Sequence, residues 1–454
     1  MNLILFLLAL ALWWWAGLGL VWLLAPTARP LRWQELFGLA VPCGSAVISV
    51  TSFVLGWWLA GTSLRMTVTA LCLLTGAAGF IRWRRGAGSI TWPVTDSHSD
   101  YLWLTVLALQ AGFVFWLSVR SALLWDGLFN WEIKAQLAFQ NGGRLPVEYF
   151  TSPALQWSHP EYPLLLPLTE AWFFGWLGAA HQGMIKLLFP LFYLAATGLL
   201  AAGGAVISRR RVAWLPAVLL FFLPQLLFRE GSVTSGYADF PLAVCYLAAV
   251  LLLAEYRLNH DPAVLRLMGW MAATLPWVKQ EGALLWLCVC GLAAVSAVRK
   301  KQVAALIQAM MPGAVVIVSW MIFIRLMKAP VGQDYLPFTI STLRSNLTRL
   351  PVIGQALLAE LINWRRWSLL WPGLLIVLPL LRQARWRSTV IVMSLTIALP
   401  LAFDVVVYLF ISEQKNTLRG HIEASLPRLL THVAPIAVLL LWLGLTAWRR
   451  DSDG

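Results

Sequence analysis

Charge is scarce in this chain. Only 12% of its 454 residues are Asp, Glu, Lys or Arg, 60% are hydrophobic, and the mean hydropathy is +0.73. No soluble domain has that balance, which is that of a polytopic helical membrane protein. Cysteine patterns are missing too. Cys43, Cys72, Cys245, Cys288 and Cys290 all lie in apolar stretches, with no CxxC and no His/Cys cluster at metal spacing. Nothing points to a disulfide framework or a structural zinc site, and small buried hydrophobes are expected instead. There is no P-loop, HExxH, dinucleotide fingerprint or serine-histidine-acid pattern. No internal repeat and no low-complexity tract is visible. Met1-Asn2-Leu3 lacks the basic start of a signal peptide, so residues 2–25 are expected to stay as a span.

Tryptophan and positive charge are plentiful. The 27 tryptophans suit interfacial belts, where indole buries its ring and keeps its N–H near water. The net charge of +14 sits mostly in short runs beside apolar spans. There it sets topology and favours anionic lipid, and no nucleic-acid partner is expected.

Apolar runs of crossing length fall at 2–25, 37–60, 64–82, 101–119, 183–206, 212–228, 238–255, 264–278, 282–299, 306–327, 368–382, 389–411 and 432–449. Basic groups follow alternate runs: Arg29 and Arg32; Arg82, Arg84 and Arg85; Arg209, Arg210 and Arg211; Arg257 and Arg266; Arg299, Lys300 and Lys301; Arg382, Arg385 and Arg387; Arg449 and Arg450. All share one side if 163–178 does not cross, and that side is expected to be the cytoplasm. The segment is short and carries Pro163, Pro167 and Glu170, so a juxtamembrane or re-entrant helix is expected there. This fold class is an all-α bundle of about thirteen transmembrane helices, N-terminus outside and C-terminus inside. The polar loops 120–182, 229–238, 279–282, 328–367 and 412–431 then share the outer face. Trp364-Arg365-Arg366-Trp367, in the fourth of them, reads as interfacial anchoring.

Charge beside a bilayer is costly and usually has a task. Asp126 directly follows a span; it is either a helix N-cap or a base, with Asn130 and Lys134 one and two turns later on the same face. His159-Pro160-Glu161-Tyr162-Pro163 makes a stiff, extended turn that either holds His159 and Glu161 to a cavity or merely connects. Asp239 starts a span and is either a cap or a site acid. Lys279 and Glu281, in a very short turn, either neutralise each other or face a polar cavity. Arg428, near His421 and Ser425, suits a phosphate with its planar fork, or else snorkels to headgroups.

Together these segments resemble the polytopic GT-C glycosyltransferases, particularly bacterial members related to the protein O-mannosyltransferase and aminoarabinose transferase group, which is family 39-like. The matching pieces are Trp125-Asp126 with Trp131 and Lys134, then His159-Pro160-Glu161-Tyr162-Pro163-Leu164-Leu165, then Gly236-Tyr237-Ala238-Asp239, then Lys279-Gln280-Glu281-Gly282, and finally His421, Ser425 and Arg428. The resemblance spans residues 101–449, and makes residues 101–454 a catalytic module with its first large outer loop at 120–182. Residues 1–100 are then an N-terminal extension of three spans.

The resemblance implies transfer of a sugar from a polyprenyl-phosphate donor to a glycan, lipid or protein acceptor outside the bacterial inner membrane, with inversion. Asp126 and Asp239 would be the catalytic acids, Asp126 as base. Asn130, Lys134, His159, Glu161, Lys279, Glu281, His421 and Arg428 would bind substrate, Lys279 and Arg428 at the phosphate. No cofactor is expected. Asp126 is followed by Gly127 rather than a second acid, which favours a metal-free site over a divalent metal. The alternative function is a transporter or flippase of envelope precursors, which should show internal hydropathy symmetry.

Overall fold

Long apolar runs become long helices, because an apolar surround offers backbone N–H and C=O groups no partner beyond their own segment. The computed structural model describes residues 2–26, 29–86, 89–91, 98–208, 214–330, 335–379, 381, 387–414 and 416–452. The chain opens with α1 (Asn2–Leu24), α2 (Trp33–Leu55), α3 (Gly61–Arg84) and α4 (His98–Arg120). The first large loop holds α5 (Ile133–Gln140) and α6 (Leu165–Leu177). Next come α7 (Leu188–Ser208), the short α8 (Leu215–Leu220) and α9 (Pro224–Phe228), and α10 (Asp239–Asn259). Then α11 (Pro262–Ala273) and α12 (Leu275–Val278) lead to α13 (Glu281–Arg299) and α14 (Val303–Leu326). The chain continues through α15 (Leu350–Leu361), α16 (Leu370–Val377), α17 (Arg387–Tyr408) and α18 (Leu418–Ser452). A two-residue parallel pair, Leu31–Arg32 with Ile90–Thr91, ties two turns together.

Among the described residues ten helices are long and apolar enough to cross a membrane: α1 to α4, α7, α10, α13, α14, α17 and α18. They match ten of the thirteen expected runs. The runs at 212–228, 264–278 and 368–382 form shorter pieces instead. Proline accounts for the first two breaks, since it lacks an N–H and crowds the preceding turn. Pro216 and Pro224 each start a separate short helix, and Pro276 follows the break at Thr274. In the third run α16 ends at Val377, and residues 382–386 lie outside the described ones.

The 264–278 run still traverses the bundle's height. At 1.5 Å per residue α10 is ~32 Å long. Lys279 meets Asp239 at its start, so residues 260–278 return the whole way. By contrast α6 is only 13 residues, or ~20 Å, and is buried against α1, α2 and α5.

The bundle has two distinct ends. At one, Arg82 donates to the Ala25 carbonyl at 3.0 Å, Arg29 is bonded to both Glu35 and Glu255, and Gln302 donates to the His260 carbonyl at 2.8 Å. Arg29 is buried there, but the two glutamates outweigh desolvation and keep its guanidinium above its ordinary range. The described basic turns gather at this end. Arg209, Arg210, Arg211, Arg382 and Arg385 lie outside the described residues. At the other end lie the first large loop and the start of α10. Helix α10 is the most enclosed of the ten long helices, packed by α7, α11 and α18, with every residue from Asp239 to Val250 buried. Asp239 therefore sits at the mouth of the core.

Candidate functional site

The site begins with a wide turn. After α4 the chain reaches Asp126 and enters a π-type turn, Gly127–Glu132, which runs into α5. Such turns are frequent at functional sites. Asp126 is no helix cap: its backbone is already helical and its side chain makes no capping bond. Its Oδ2 lies 2.7 Å from Arg428 Nη1. Glycine at 127 permits this, because a Cβ there would sit 2.2 Å from the Ser235 carbonyl oxygen. The loop before α10 is thereby drawn against Asp126, with Leu124 N–H donating to the Ser235 carbonyl at 3.0 Å.

Asp239 does not cap its helix either. Its Oδ1 accepts from Lys279 Nζ at 2.9 Å and faces His432 Nε2 at 3.0 Å, while Oδ2 accepts from Arg428 Nη2 at 3.2 Å. Lys279 also pairs with Glu281 Oε1 at 2.9 Å. The charges thus alternate in one line: Asp126, Arg428, Asp239, Lys279, Glu281. Burial works against the charge on Lys279, yet Asp239 and Glu281 outweigh it and hold the ammonium above its ordinary range. Arg428 does not snorkel outward. It folds inward over the Tyr237 ring, 4.8 Å from the ring centre. Side-chain exposure divides the line: Asp126 keeps 17% and Arg428 19%, while Asp239 keeps none. The line is thus open at both ends, at Asp126 and Arg428 and again at Glu281, which keeps 33%, and closed in the middle at Asp239 and Lys279.

A second cluster adjoins the first. His159 Nδ1 lies 3.0 Å from Glu161 Oε1, and the His159 ring stacks on Tyr162 at 4.5 Å. The expected extended turn is instead tight: His159 takes a left-handed backbone (φ 53°) and its carbonyl accepts from Tyr162 N–H at 3.0 Å. The Glu161 carbonyl accepts from Trp320 Nε1 at 3.0 Å and from Gln280 Nε2 at 3.4 Å, which ties this turn to that of Lys279. Lys134 is fully buried between the Trp131 and Tyr162 rings, 5.2 and 5.3 Å from their centres, with no hydrogen-bond partner. Burial pushes its ammonium down to about 7, with Glu161 and Asp126 pulling partly the other way.

Of the sequence candidates, the structure brings Asp126, Asp239, Lys279, Glu281 and Arg428 into direct contact. His159, Glu161 and Lys134 form the adjoining cluster. Asn130 is buried nearby in the π-type turn, its Oδ1 without a partner. His421 is not joined to the Asp239 group by any hydrogen bond, and its buried Nε2 has no partner. His432, Tyr237 and Tyr162 were not among the candidates. His432 had a signal, since it lies one turn beyond Arg428 on the same helix face. Trp364-Arg365-Arg366-Trp367 divides: Trp364 is exposed, whereas Trp367 is buried and donates to Glu360 at 2.8 Å. Among the described residues no group of three or more His, Cys, Asp or Glu is placed to hold a metal ion.

No family model, curated protein or solved structure matches this chain.

Proposed function

We propose that this protein is a GT-C-like membrane glycosyltransferase of the bacterial inner membrane. It moves a sugar from a polyprenyl-phosphate donor to an acceptor hydroxyl or amine on the extracytoplasmic face, with inversion. One observation carries the reading. Four segments far apart in sequence converge on the Asp126–Arg428–Asp239–Lys279–Glu281 line, at the end of the bundle opposite the described basic turns. The basic end is assigned to the cytoplasm, as positive residues favour. The ten long helices and the three broken runs then make up thirteen crossings, with α6 as a re-entrant helix that packs against the middle of α1 and α2.

In this mechanism the acceptor's proton passes to the Asp126 carboxylate while its oxygen or nitrogen attacks the anomeric carbon. The bond from that carbon to the phosphate oxygen breaks, and the polyprenyl phosphate leaves with the electron pair. Arg428 and Lys279 balance the charge that develops on the phosphate. Asp239, shut away from solvent, is the positioning residue that holds both cations. His159 and Glu161 line the sugar side. No metal enters the scheme.

The test is transfer in vitro from a panel of polyprenyl-phosphate sugars, comparing wild type with Asp126→Asn at equal folded yield. Wild-type turnover with a loss of at least about 100-fold in the variant is expected. Equal turnover would remove Asp126 as base. Translocation of a carrier across vesicles without any sugar transfer would overturn the assignment in favour of a flippase.

A further inference from the structure

A cavity of about 410 Å³ lies between α15 and the first turns of α18, and the mechanism above does not use it. That is room for a small ligand. Arg419, Ile422, Glu423, Leu426 and Pro427 form its α18 wall. Their spacing is that of one helix face, whereas Arg428 and His432 leave α18 on another, toward Asp239. The cavity is therefore separate from the line of charges, though close to it along the chain. Its depth follows from α18. Counting back about 20 residues, one hydrocarbon thickness, from the end of the span at Thr446 reaches Pro427. The wall from Arg419 to Leu426 thus stands in the headgroup layer and the water beyond, at the end that carries Asp126 and Arg428.

The lining suits a sugar in three ways. First, its charges balance. Arg366 and Arg419 line it, and so do Glu360 and Glu423, with the amides of Gln355 and Asn363. A ligand of one charge meets its own sign as often as the opposite one, whereas a hydroxyl donates and accepts at once. Arg366 bonds Glu360 through Nη1 alone, and Arg419 bonds Glu423 through Nε alone, so both guanidiniums keep N–H groups to give. Second, one acceptor is fixed in place. Glu360 takes Trp367 Nε1 at 2.8 Å, Arg366 Nη1 at 3.4 Å and Asn363 Nδ2 at 3.5 Å, yet its side chain keeps 12% exposure. The turn that supplies these donors is strained where it ends, for Ser368 holds φ at 52° and ψ at −128°. Strain of this kind costs free energy and gathers at ligand clamps. Third, Ile422, Leu426 and Pro427 set an apolar patch among the polar groups. A sugar ring has C–H faces for such a patch and hydroxyls for the rim.

We propose that this cavity binds an uncharged sugar residue, and that the acceptor is a glycan of several residues whose distal part is held here. The acceptor role rests on the transferase reading; the sugar site does not. With its side chains α18 is ~10 Å across, and it stands between the cavity and the side chain of Arg428. One sugar ring cannot fill the cavity and meet Asp126 at once, but a short oligosaccharide can.

The experiment uses the full chain in a polyoxyethylene detergent, which carries no sugar. Linear oligomers of glucose, mannose and N-acetylglucosamine, from single residues upward, are titrated by calorimetry. Saturable binding of at least one series, tighter for the longer oligomers, is expected. Glu360→Gln keeps the shape and can still accept from Trp367, but it loses the charge and should weaken binding about tenfold. Glu423→Gln, at an exposed position where folding is not at stake, should weaken it about threefold. No saturable binding, or binding that neither substitution changes, overturns the proposal. Retention of phosphatidylethanolamine in native mass spectrometry, lost in Glu360→Gln and with no oligomer bound, assigns the cavity to a zwitterionic headgroup and also overturns it. Oligomers that bind but accept no sugar from any polyprenyl-phosphate donor refute the glycan acceptor and leave the sugar site standing. Transfer to a sugar-free acceptor with no oligomer bound refutes the sugar site and leaves the transferase reading intact.

Discussion

His432 Nε2 lies 3.0 Å from Asp239 Oδ1, and both side chains are closed off from solvent. One buried carboxylate thus holds this histidine together with Lys279 and Arg428. Removing one member of a buried charge network leaves the others desolvated and unpaired. Asp239→Ala is therefore expected to destabilise the protein by about 3–5 kcal/mol, read from denaturation midpoints in detergent. Asp239→Asn keeps the shape and loses the charge, so it should fall between the two. An alanine variant within about 0.5 kcal/mol of wild type would mean that the cations find other partners.

Gly127 carries a steric prediction. A methyl group there meets the Ser235 carbonyl oxygen at 2.2 Å, and that atom belongs to backbone that cannot rotate aside. Gly127→Ala should cost about 1–3 kcal/mol through the forced shift. Because the shifted loop leads into Tyr237 and Asp239, sugar transfer should fall as well. Gly291→Ala is the control, with nothing within 4 Å of its added carbon. If both variants melt alike, the close approach at Gly127 is not a constraint.

Much of the architecture was legible because a bilayer imposes few solutions: ten of thirteen apolar runs are long helices. The three that are not could have been flagged from Pro216, Pro224, Pro276 and the short 368–382 run. That Asp126, Asp239, Lys279 and Arg428 share one end followed from counting basic turns. Their pairing did not follow, because spacing along four segments says nothing of which cation bridges which acid. From spacing alone a cap was the better reading of Asp126 and Asp239, and the backbone places neither in a capping position. The cage of Trp131 and Tyr162 around Lys134 joins residues from separate turns, and the π-type turn before α5 has no sequence signature.

Lys134 makes a prediction about pH. Burial pushes its ammonium down to about 7 in the folded protein, below the 10.5 of an ordinary lysine. Between these values the unfolded chain holds a proton that the folded chain has lost, so stability rises with pH through that window. The penalty is full below the folded value and fades toward 10.5. Lys134→Met cannot carry this penalty. Melting temperatures of the two proteins between about pH 6.5 and 9 should show wild type gaining on the variant as pH rises. The slope of the gap matters, not its size, since the substitution also repacks the cage. A gap that stays constant across the range would return Lys134 to an ordinary ammonium.

Arg428 separates charge from geometry. Its guanidinium reaches Asp126 with Nη1 and Asp239 with Nε and Nη2, while its plane lies over Tyr237. A lysine ammonium is a point charge and cannot grip both carboxylates and stack at once. In Arg428→Lys, Asp239 keeps Lys279 and His432, so the fold should survive with a loss of about 1–2 kcal/mol. Asp126 loses its fixed partner, and the proposed phosphate loses a planar fork. Transfer is expected to drop about 100-fold, mostly in kcat, because the charge is needed where the leaving phosphate forms. A variant that transfers at the wild-type rate with only KM raised would mean that Arg428 binds the donor uniformly and does not act at the breaking bond.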